Sequence, residues 1–411
     1  MSDGFAAFRH PGVARLAAGR FVSELGTTAT SVAVGWQLYE LTASKWALAW
    51  VGLVEVVPVV LLSLPAGIAS DRYPRRHVAM ATHLLMATAA AALMVVTHFK
   101  WDAWLFYPAL FLTGVGAAFH GPAVRALLPQ LVPPKEFANA NAWFSSAYEL
   151  AAISGPALAG FFIALSSNAQ VAFGFAVASH LFFAAMLYTL PHKPAALTGA
   201  SNGVQDLLAG FRFVKKTRVF LAAITLDLFA VLLGGAVALL PVYAKDVLHV
   251  GPEGLGWLRA APSLGALCMA LVQTRLKPWR RPGVVLLWTV AGFGVSTIAF
   301  GLSTVMWLSL LALFFTGVFD NVSVVIRSTL EQSLTPDAMR GRVSAINGVF
   351  IGLSNEFGAF ESASVAALFT PLVSVVFGGV GTLVVAAAVF FVFPQLRTLP
   401  PLSELKPTQD N

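Results

Sequence analysis

A set of ionisable side chains lies within apolar segments that are long enough to span a membrane. Charges at such positions are costly and usually serve a function. A carboxylate that loses water on burial can exchange a proton near neutral pH, and an arginine can hold an anionic group through charge-assisted hydrogen bonds. We therefore predict proton exchange and binding of an acidic group. The residues are Arg20, Glu24, His120, Arg125, Asp227, Asp320 and Arg327.

The spacing of these charges ranks the carboxylates for proton coupling. Arg20 and Glu24 are four residues apart, so they share a helix face and can neutralise each other, either as a structural or as a working pair. Asp320 and Arg327 are seven apart, two turns along one face. Asp227 has no cation within four residues on its own helix. We expect Asp227 to lack a fixed partner and to be the first proton carrier, ahead of Glu24 and Asp320.

Further polar residues are expected to line or flank a substrate cavity. His120 precedes Gly121 and Pro122 and is interpreted as a packed or hydrogen-bonded histidine. The two arginines Arg125 and Arg327 can bind an anionic substrate group or keep the carboxylates ionised until substrate arrives. The predicted cavity set is Arg20, His120, Arg125, Glu149, Asn321, Arg327 and Glu356.

The composition identifies the elements that hold these residues. The chain is 57% hydrophobic and only 11% charged, whereas soluble proteins have roughly 25% charged residues. The sequence therefore predicts an integral membrane protein whose apolar runs are helices, because they are about twenty residues long and do not alternate. Twelve runs fit, over 14–41, 47–69, 77–98, 104–131, 138–165, 169–190, 217–245, 253–276, 283–302, 304–332, 341–366 and 372–393.

The basic residues indicate the orientation of the helices. Most of the 26 lysines and arginines lie at the termini and in the connections from even to odd helices, which predicts that both termini and residues 71–76 are cytoplasmic. The net charge of +7 follows from this distribution and does not indicate nucleic-acid binding. The single cysteine, Cys268, excludes an intrachain disulfide, and we expect no metal site and no cofactor.

An internal repeat divides the chain into halves. Residues 113–134 resemble residues 316–337, with Arg125 matching Arg327 and Gln130 matching Gln332. Parallel repeats of this size are typical of secondary transporters, which bind substrate near the membrane midplane. We predict two six-helix bundles, a cytoplasmic linker whose amphipathic end lies on membrane lipids, and a cytoplasmic tail. Their boundaries are 1–190, 191–216, 217–396 and 397–411.

The connection after the second helix reads G-x-x-x-D-R-x-x-R-R, formed by Gly67, Asp71, Arg72, Arg75 and Arg76. It resembles the signature loop of the major facilitator superfamily. The resemblance covers the whole chain and implies an all-α membrane protein, with twelve transmembrane helices in two pseudo-symmetric halves. In that superfamily the loop latches the halves in the outward-facing state. The alternative is that the arginines only determine topology.

The latch would join Asp71 to the N-terminus of the eleventh helix, where free amides and the helix dipole favour an anion. Arg340 and Arg342 add positive charge at that helix start. This sequence departs from the common pattern at Pro74, where glycine is usual, and at Thr274, where the matching loop of the second half would have an aspartate.

A second motif, "SGPALAGFF" over 154–162, contains Gly155, Pro156 and Gly160 and is similar to the G-P-x-x-G-G motif of antiporters in the superfamily. Ordinary close packing of helices is the alternative explanation. The stretches "GRFVSELG", "ANANAW" and "RGRVSAIN" also resemble the branch that contains enterobactin exporters and macrolide efflux pumps. That branch is expected in the bacterial inner membrane.

The resemblance implies a proton-coupled exporter of an amphipathic small organic molecule, such as a siderophore, a macrolide or another drug. Its partners would be that substrate, protons and membrane lipids, and a monomer is expected. A lipid flippase, a metabolite importer and a channel are the alternatives. An intramembrane enzyme needs a compact constellation, whereas the eight histidines are scattered along the sequence. The chain has no Walker loop for ATP.

Overall fold

The computed structural model describes residues 6–191, 203–277, 279–336 and 339–405, and these residues form helices without strands. Twelve long helices and one amphipathic helix, α7, follow one another in the described ranges. They are Pro11–Thr42 (α1), Lys45–Arg72 (α2), Arg75–His98 (α3), Phe106–Arg125 (α4), Phe137–Ser166 (α5), Gln170–Tyr188 (α6), Gly203–Lys216 (α7), Arg218–Leu233 (α8), Gly251–Gln273 (α9), Pro282–Leu302 (α10), Met306–Leu334 (α11), Arg340–Leu368 (α12) and Pro371–Val392 (α13).

Ten helical segments among the described residues are long and apolar enough to cross a membrane. The two long helices outside this group, α1 and α12, carry polar residues of the predicted cavity set. The predicted all-α membrane fold is confirmed. Its helices satisfy their backbone hydrogen bonds internally, which lipid requires.

The chain divides into two compact units, of which unit 1 contains Met1–Ser201 and Val250–Ala260, and unit 2 contains Asn202–His249 and Ala261–Asn411. The predicted domain boundaries remain a prediction. In unit 1, α1 packs against α5 and α6, α2 packs against α4, and α3 packs against both α4 and α6. In unit 2, α10 packs against α11 and α13, while α8 packs against α12 and α13.

Two predicted helices are broken in the structure. Helix α4 ends at Arg125 and a short helix, Leu128–Leu131, follows it, so the predicted span 104–131 is interrupted. Helix α8 ends at Leu233, where two glycines allow a change of direction before further helical turns. Breaks of this kind are tolerated in membrane helices only where other parts of the protein cover the backbone.

The amphipathic helix α7 packs on α12 in unit 2. A Cβ at Gly210 would stand 2.7 Å from the carbonyl oxygen of Arg342, so glycine allows the close approach of the two helices. Leu208 and Phe211 point away from that contact and are exposed. Contact of this apolar face with lipid remains a prediction. The side chains of Val204 and Leu207, on the same helix, lie outside the described ones.

Candidate functional site

Unit 2 contains a buried ion pair that joins α8 to α11. Nη1 of Arg327 lies 2.5 Å from Oδ2 of Asp227, and each residue is only 8% exposed. Nε of Arg327 donates a hydrogen bond to Oγ of Ser323 at 3.2 Å. The expectation that Asp227 lacks a fixed partner is therefore wrong. The partner comes from another helix, about a hundred residues later, which spacing within α8 cannot reveal.

Two carboxylates share this site with one guanidinium. Asp227 and Asp320 line the same cavity between α8, α10 and α11, together with Thr289, Phe293 and Phe319. Asp320 interacts electrostatically with both members of the ion pair. If both carboxylates are ionised, the group has one negative charge in excess, which one proton or one cation neutralises. Two of the three predicted proton carriers are therefore brought together.

Asn321 lies beside this group but has its own partner. Nε2 of Gln273, the last residue of α9, donates to Oδ1 of Asn321 at 2.9 Å. This hydrogen bond connects α9 to α11 within unit 2. The predicted role of Asn321 in substrate binding remains a prediction.

Arg20 of α1 interacts with aromatic rings in unit 1. Its guanidinium carbon lies 3.9 Å from the ring centre of Phe144 and 5.3 Å from that of Tyr148, both on α5. The expected direct neutralisation by Glu24 is not seen, because the two side chains make no ion pair within the described residues, although they interact electrostatically. Aromatic faces attract a guanidinium, and this attraction replaces the direct pair. Nε of Arg20 is buried without a hydrogen-bond partner.

The remaining carboxylates of the predicted cavity set differ in exposure. Glu149 on α5 is exposed and interacts electrostatically with Arg20, so it belongs to the charged group of unit 1. Glu356 on α12 of unit 2 is half-buried. Contact of either side chain with a substrate remains a prediction.

Arg125 and Arg327 occupy matching positions of the sequence repeat but different surroundings. Arg125 is the last residue of α4, is exposed, and donates from Nε to the carbonyl oxygen of Gly121 in its own helix at 3.2 Å. Arg327 is buried within α11, about two turns before the end of that helix. The predicted placement of Arg125 within the fourth helix is confirmed, and the structure adds that it is the last residue of that helix.

The arginines of the signature loop stabilise helix ends within unit 1. Nη1 of Arg75 donates to the carbonyl oxygen of Ala126 at 3.1 Å, directly after α4. Nη1 of Arg76 donates to the carbonyl oxygen of Leu190 at 2.6 Å, just beyond α6. Cations favour the carbonyl ends of helices, where hydrogen-bond acceptors lack partners. Neither of the two roles predicted for these arginines, latching the halves or determining topology, includes these hydrogen bonds.

The other members of the predicted gating group are less constrained. Gly67 has space around its Cα, and Arg72 is exposed. The side chain of Asp71 lies outside the described ones, so the latch remains a prediction. Arg340 donates to the carbonyl oxygen of Gln332 at 3.4 Å, which ties the start of α12 to α11.

Arg342 makes a contact close to its own position in the sequence, because its Nη1 lies 3.5 Å from the sulfur of Met339.

A stronger link between α11 and α12 was missed in the sequence. Glu331 is buried and accepts hydrogen bonds from Oγ of Ser344 and, at 2.7 Å, from Nδ2 of Asn347. A carboxylate within a predicted span was the signal that could have identified it.

The glycines of the antiporter-like motif allow close approach of helices in unit 1. A Cβ at Gly155 would collide with the side chain of Thr28 on α1. A Cβ at Gly160 would stand 3.2 Å from the Cα of Gly256, in the part of α9 that belongs to unit 1. Pro156 between them is buried. Close packing is thus observed, whereas an antiporter role remains a prediction.

Three histidines expected to be scattered are gathered in unit 1. His83 of α3, His120 of α4 and His180 of α6 form a row in which neighbouring ring nitrogens are 3.2 Å apart. The prediction of scattered histidines is wrong for these three, although His120 is hydrogen-bonded as expected. Their sequence separations gave no helical spacing that would have linked them.

Comparisons with known proteins agree with this architecture. A family model described as transmembrane secretion effector matches residues 2–406. The enterobactin exporter of Shigella dysenteriae serotype 1 (strain Sd197) is 26% identical over 395 residues, which cover 94% of this chain and 93% of the relative. The enterobactin exporter of Escherichia coli O81 (strain ED1a) has the same identity and coverage.

Solved transporter structures have the same fold. A POT family transporter in complex with 5-aminolevulinic acid gives a TM-score of 0.76 at 12% identity, covering 94% of this chain and 96% of that one. A bacterial homolog of the human lysosomal transporter Spinster, inward-facing and unoccupied, gives a TM-score of 0.72 at 14% identity, covering 95% of this chain and 98% of that one. At such identities the likeness concerns the fold alone.

Proposed function

Because the chain belongs to the transmembrane secretion effector family of the major facilitator superfamily, we propose that it exports an amphipathic small organic molecule in exchange for protons. The chain is an integral membrane transporter and not an enzyme. Export, proton coupling and the substrate class are the proposed parts. We also propose that the protein lies in a bacterial inner membrane. The distribution of basic residues favours an orientation in which both termini are cytoplasmic.

Similarity over nearly the whole chain supports the choice of substrate. The relatives named above are enterobactin exporters and align over 94% of this chain. We therefore place the substrate among siderophore-like molecules that combine a large apolar surface with acidic groups. Arg327 offers a buried guanidinium for such a group, and charge-assisted hydrogen bonds at this depth are strong.

The observation that carries proton coupling is the shared site of Asp227, Asp320 and Arg327. A membrane transporter pays a large energetic cost to keep three charges in its spans, which favours a working role over a structural one. In the proposed exchange, Arg327 binds the acidic group of the substrate, and hydrogen-bond donors of the substrate bind the ionised carboxylates of Asp227 and Asp320. A proton competes with these donors, because a protonated carboxyl attracts them less, and its arrival releases the substrate. Proton and substrate thus occupy the site in turn.

Transport by the purified full-length protein in proteoliposomes tests this proposal. Enterobactin serves as the probe, and a pH gradient is imposed in each direction in separate experiments. We expect concentration of the probe on the acidic side, since protons and substrate move oppositely. A protonophore should abolish it. Accumulation that is insensitive to the gradient would contradict proton coupling. Movement of the probe together with protons would identify an importer of the same fold.

A further inference from the structure

The three histidines of unit 1 form one continuous hydrogen-bonded row. Nδ1 of His120 lies 3.2 Å from Nε2 of His83, and Nδ1 of His83 lies 3.2 Å from Nδ1 of His180. His83 is 1% exposed and His180 is 3% exposed, whereas His120 is half-buried. The row therefore leads from the least buried of the three residues, on α4, through α3 to a buried residue on α6.

The pairing of nitrogens fixes how protons are arranged along the row. A neutral imidazole has one N–H donor and one acceptor nitrogen, and His83 uses both of its nitrogens in the two contacts. All hydrogen bonds must then point the same way, either from His120 to His180 or in reverse. A positively charged His83 would instead donate to both neighbours, and each neighbour can accept through Nδ1. The row has a satisfied arrangement with or without one extra proton.

A shared metal ion does not fit this arrangement. One ion can take only one nitrogen from each imidazole, whereas the contacts of His83 with its two neighbours use opposite sides of its ring. Within the described part of the chain, no group of three histidine, cysteine or acidic side chains has a geometry suited to a metal.

The surroundings connect the row to the charged group of the same unit. Arg20 from α1 and Arg125 from α4 both act electrostatically on His120. The ring centre of Phe183 from α6 lies 4.4 Å from that of His83, so an apolar ring packs against the central histidine. Because like charges repel, a proton on the row and the positive charge of Arg20 influence each other. Movement of Arg20 would change the affinity of the row for a proton.

We propose that His83, His120 and His180 form a proton relay that binds one exchangeable proton within unit 1. A proton that arrives at Nε2 of His120 allows the Nδ1 proton of His120 to pass to Nε2 of His83. The Nδ1 proton of His83 then passes to Nδ1 of His180, and His180 releases its Nε2 proton to a water molecule. One proton enters and one leaves, and every hydrogen bond reverses. Chains of ionisable groups conduct protons in other transporters.

Nitrogen-15 NMR of histidine-labelled, full-length protein in lipid nanodiscs tests proton binding without any transport. Lowering the pH from about 8 to about 4 covers the usual range of histidine titration and extends below it. We expect His83 to gain a second N–H while His120 and His180 both become Nε2–H tautomers, all three with one midpoint. Three rings that stay neutral, or a change at His120 alone, would overturn the relay. Binding of added Zn²⁺ by all three rings would also overturn it.

The variant His83→Gln tests the central ring. Glutamine can still donate and accept one hydrogen bond each, but it cannot pass a proton. We expect loss of the common midpoint of His120 and His180. The matched control is His98→Gln, because His98 is exposed and its ring bonds Gln170 outside the row. A common midpoint that persists in His83→Gln would contradict the proposal. If this variant does not fold, the tautomer change in the wild-type protein still decides.

The role of the relay in transport rests on the proposed export by proton exchange. In proteoliposomes with enterobactin as the probe, His83→Gln should lose uphill export and retain exchange without a gradient. Unchanged uphill export would remove the relay from the transport cycle. If the wild-type protein ignores the pH gradient, the proposed function fails, whereas the NMR result on proton binding stands on its own.

Discussion

The ion pair of Asp227 and Arg327 is the residue-scale feature on which the proposed exchange depends. Both members are buried in unit 2, so removal of Arg327 leaves Asp227 and Asp320 without their cation, whereas removal of Asp227 leaves Arg327 with Asp320 alone. Such a loss typically costs about 3–5 kcal/mol of stability, whereas removal of both charges is often nearly neutral. The pair therefore allows a test in which structure and coupling are separated.

We expect Asp227→Asn to abolish pH-driven export while exchange without a gradient continues, because the amide cannot take up the proton. It should also lower thermal stability, and Arg327→Gln should lower it further, because Asp320 still interacts with Arg327 in the first variant but has no cation in the second. The double variant should recover much of that stability but not the coupling. Thermal unfolding in detergent and flux in proteoliposomes measure the two effects. Arg125→Gln is the control, since an exposed arginine should change stability by less than about 0.5 kcal/mol. Wild-type uphill export by Asp227→Asn would show that Asp227 is not the carrier.

Sequence reasoning found the charged residues but not their partners. Apolar flanks make Asp227 and Arg327 conspicuous, and burial of both agrees with that signal. The contact itself joins helices that are far apart in sequence, and helical spacing predicts neighbours only on the same helix. The same limit explains why the contact between His83 and His180 was overlooked, because helical spacing does not show which histidines of different helices meet.

At the scale of elements, the loop between α2 and α3 distinguishes two roles for its arginines. Arg76, in the first turn of α3, donates to a carbonyl oxygen just beyond α6, whereas Arg72, the last residue of α2, is exposed and makes no hydrogen bond or ion pair with the described residues. If arginines only determine topology, the two positions should be equivalent, because both have the same charge on the same side of the membrane.

We expect Arg76→Ala to destabilise the protein by roughly 1–3 kcal/mol, since a hydrogen bond from a charged group and a capped helix end are lost. Arg72→Ala should have a much smaller effect. Thermal unfolding of the two variants measures the difference, and cysteine accessibility from either side reports topology. Equal destabilisation by the two substitutions would contradict a capping role for Arg76 and would leave topology as the shared role of both arginines.

Element boundaries were less predictable than element number. Hydropathy predicts one helix over 217–245, but α8 stops at Leu233. The two glycines that follow, Gly234 and Gly235, pack closely against other helices of unit 2. A Cβ at Gly234 would lie 2.7 Å from the ring of Phe293, and one at Gly235 would lie 2.5 Å from the carbonyl oxygen of Gly358. These contacts arise from packing in unit 2, so no property of the local sequence states them.

At the scale of the whole molecule, the two units related by the sequence repeat hold their charged residues in different surroundings. Unit 1 places Arg20 on aromatic rings and gathers three histidines. Unit 2 buries Asp227 with Arg327 beside a second carboxylate. The repeat predicts the shared helical plan, because both units need the same packing, but the surroundings of the charged residues differ between the units. Matching residues of the repeat therefore need not share a role.

The matched arginines provide a direct test of this asymmetry. Arg327→Lys retains the charge but loses the planar fork that holds two acceptor oxygens at once. We expect roughly ten-fold weaker binding of enterobactin, which corresponds to about 1.4 kcal/mol. Arg125→Lys should bind normally, because Arg125 is exposed at the end of α4 and its Nε bonds only its own helix. Equilibrium binding to purified protein, at matched expression and stability, measures both. Equal loss in the two variants would show that the repeat preserves function as well as fold, and weaker binding by Arg125→Lys alone would move the anionic site to unit 1.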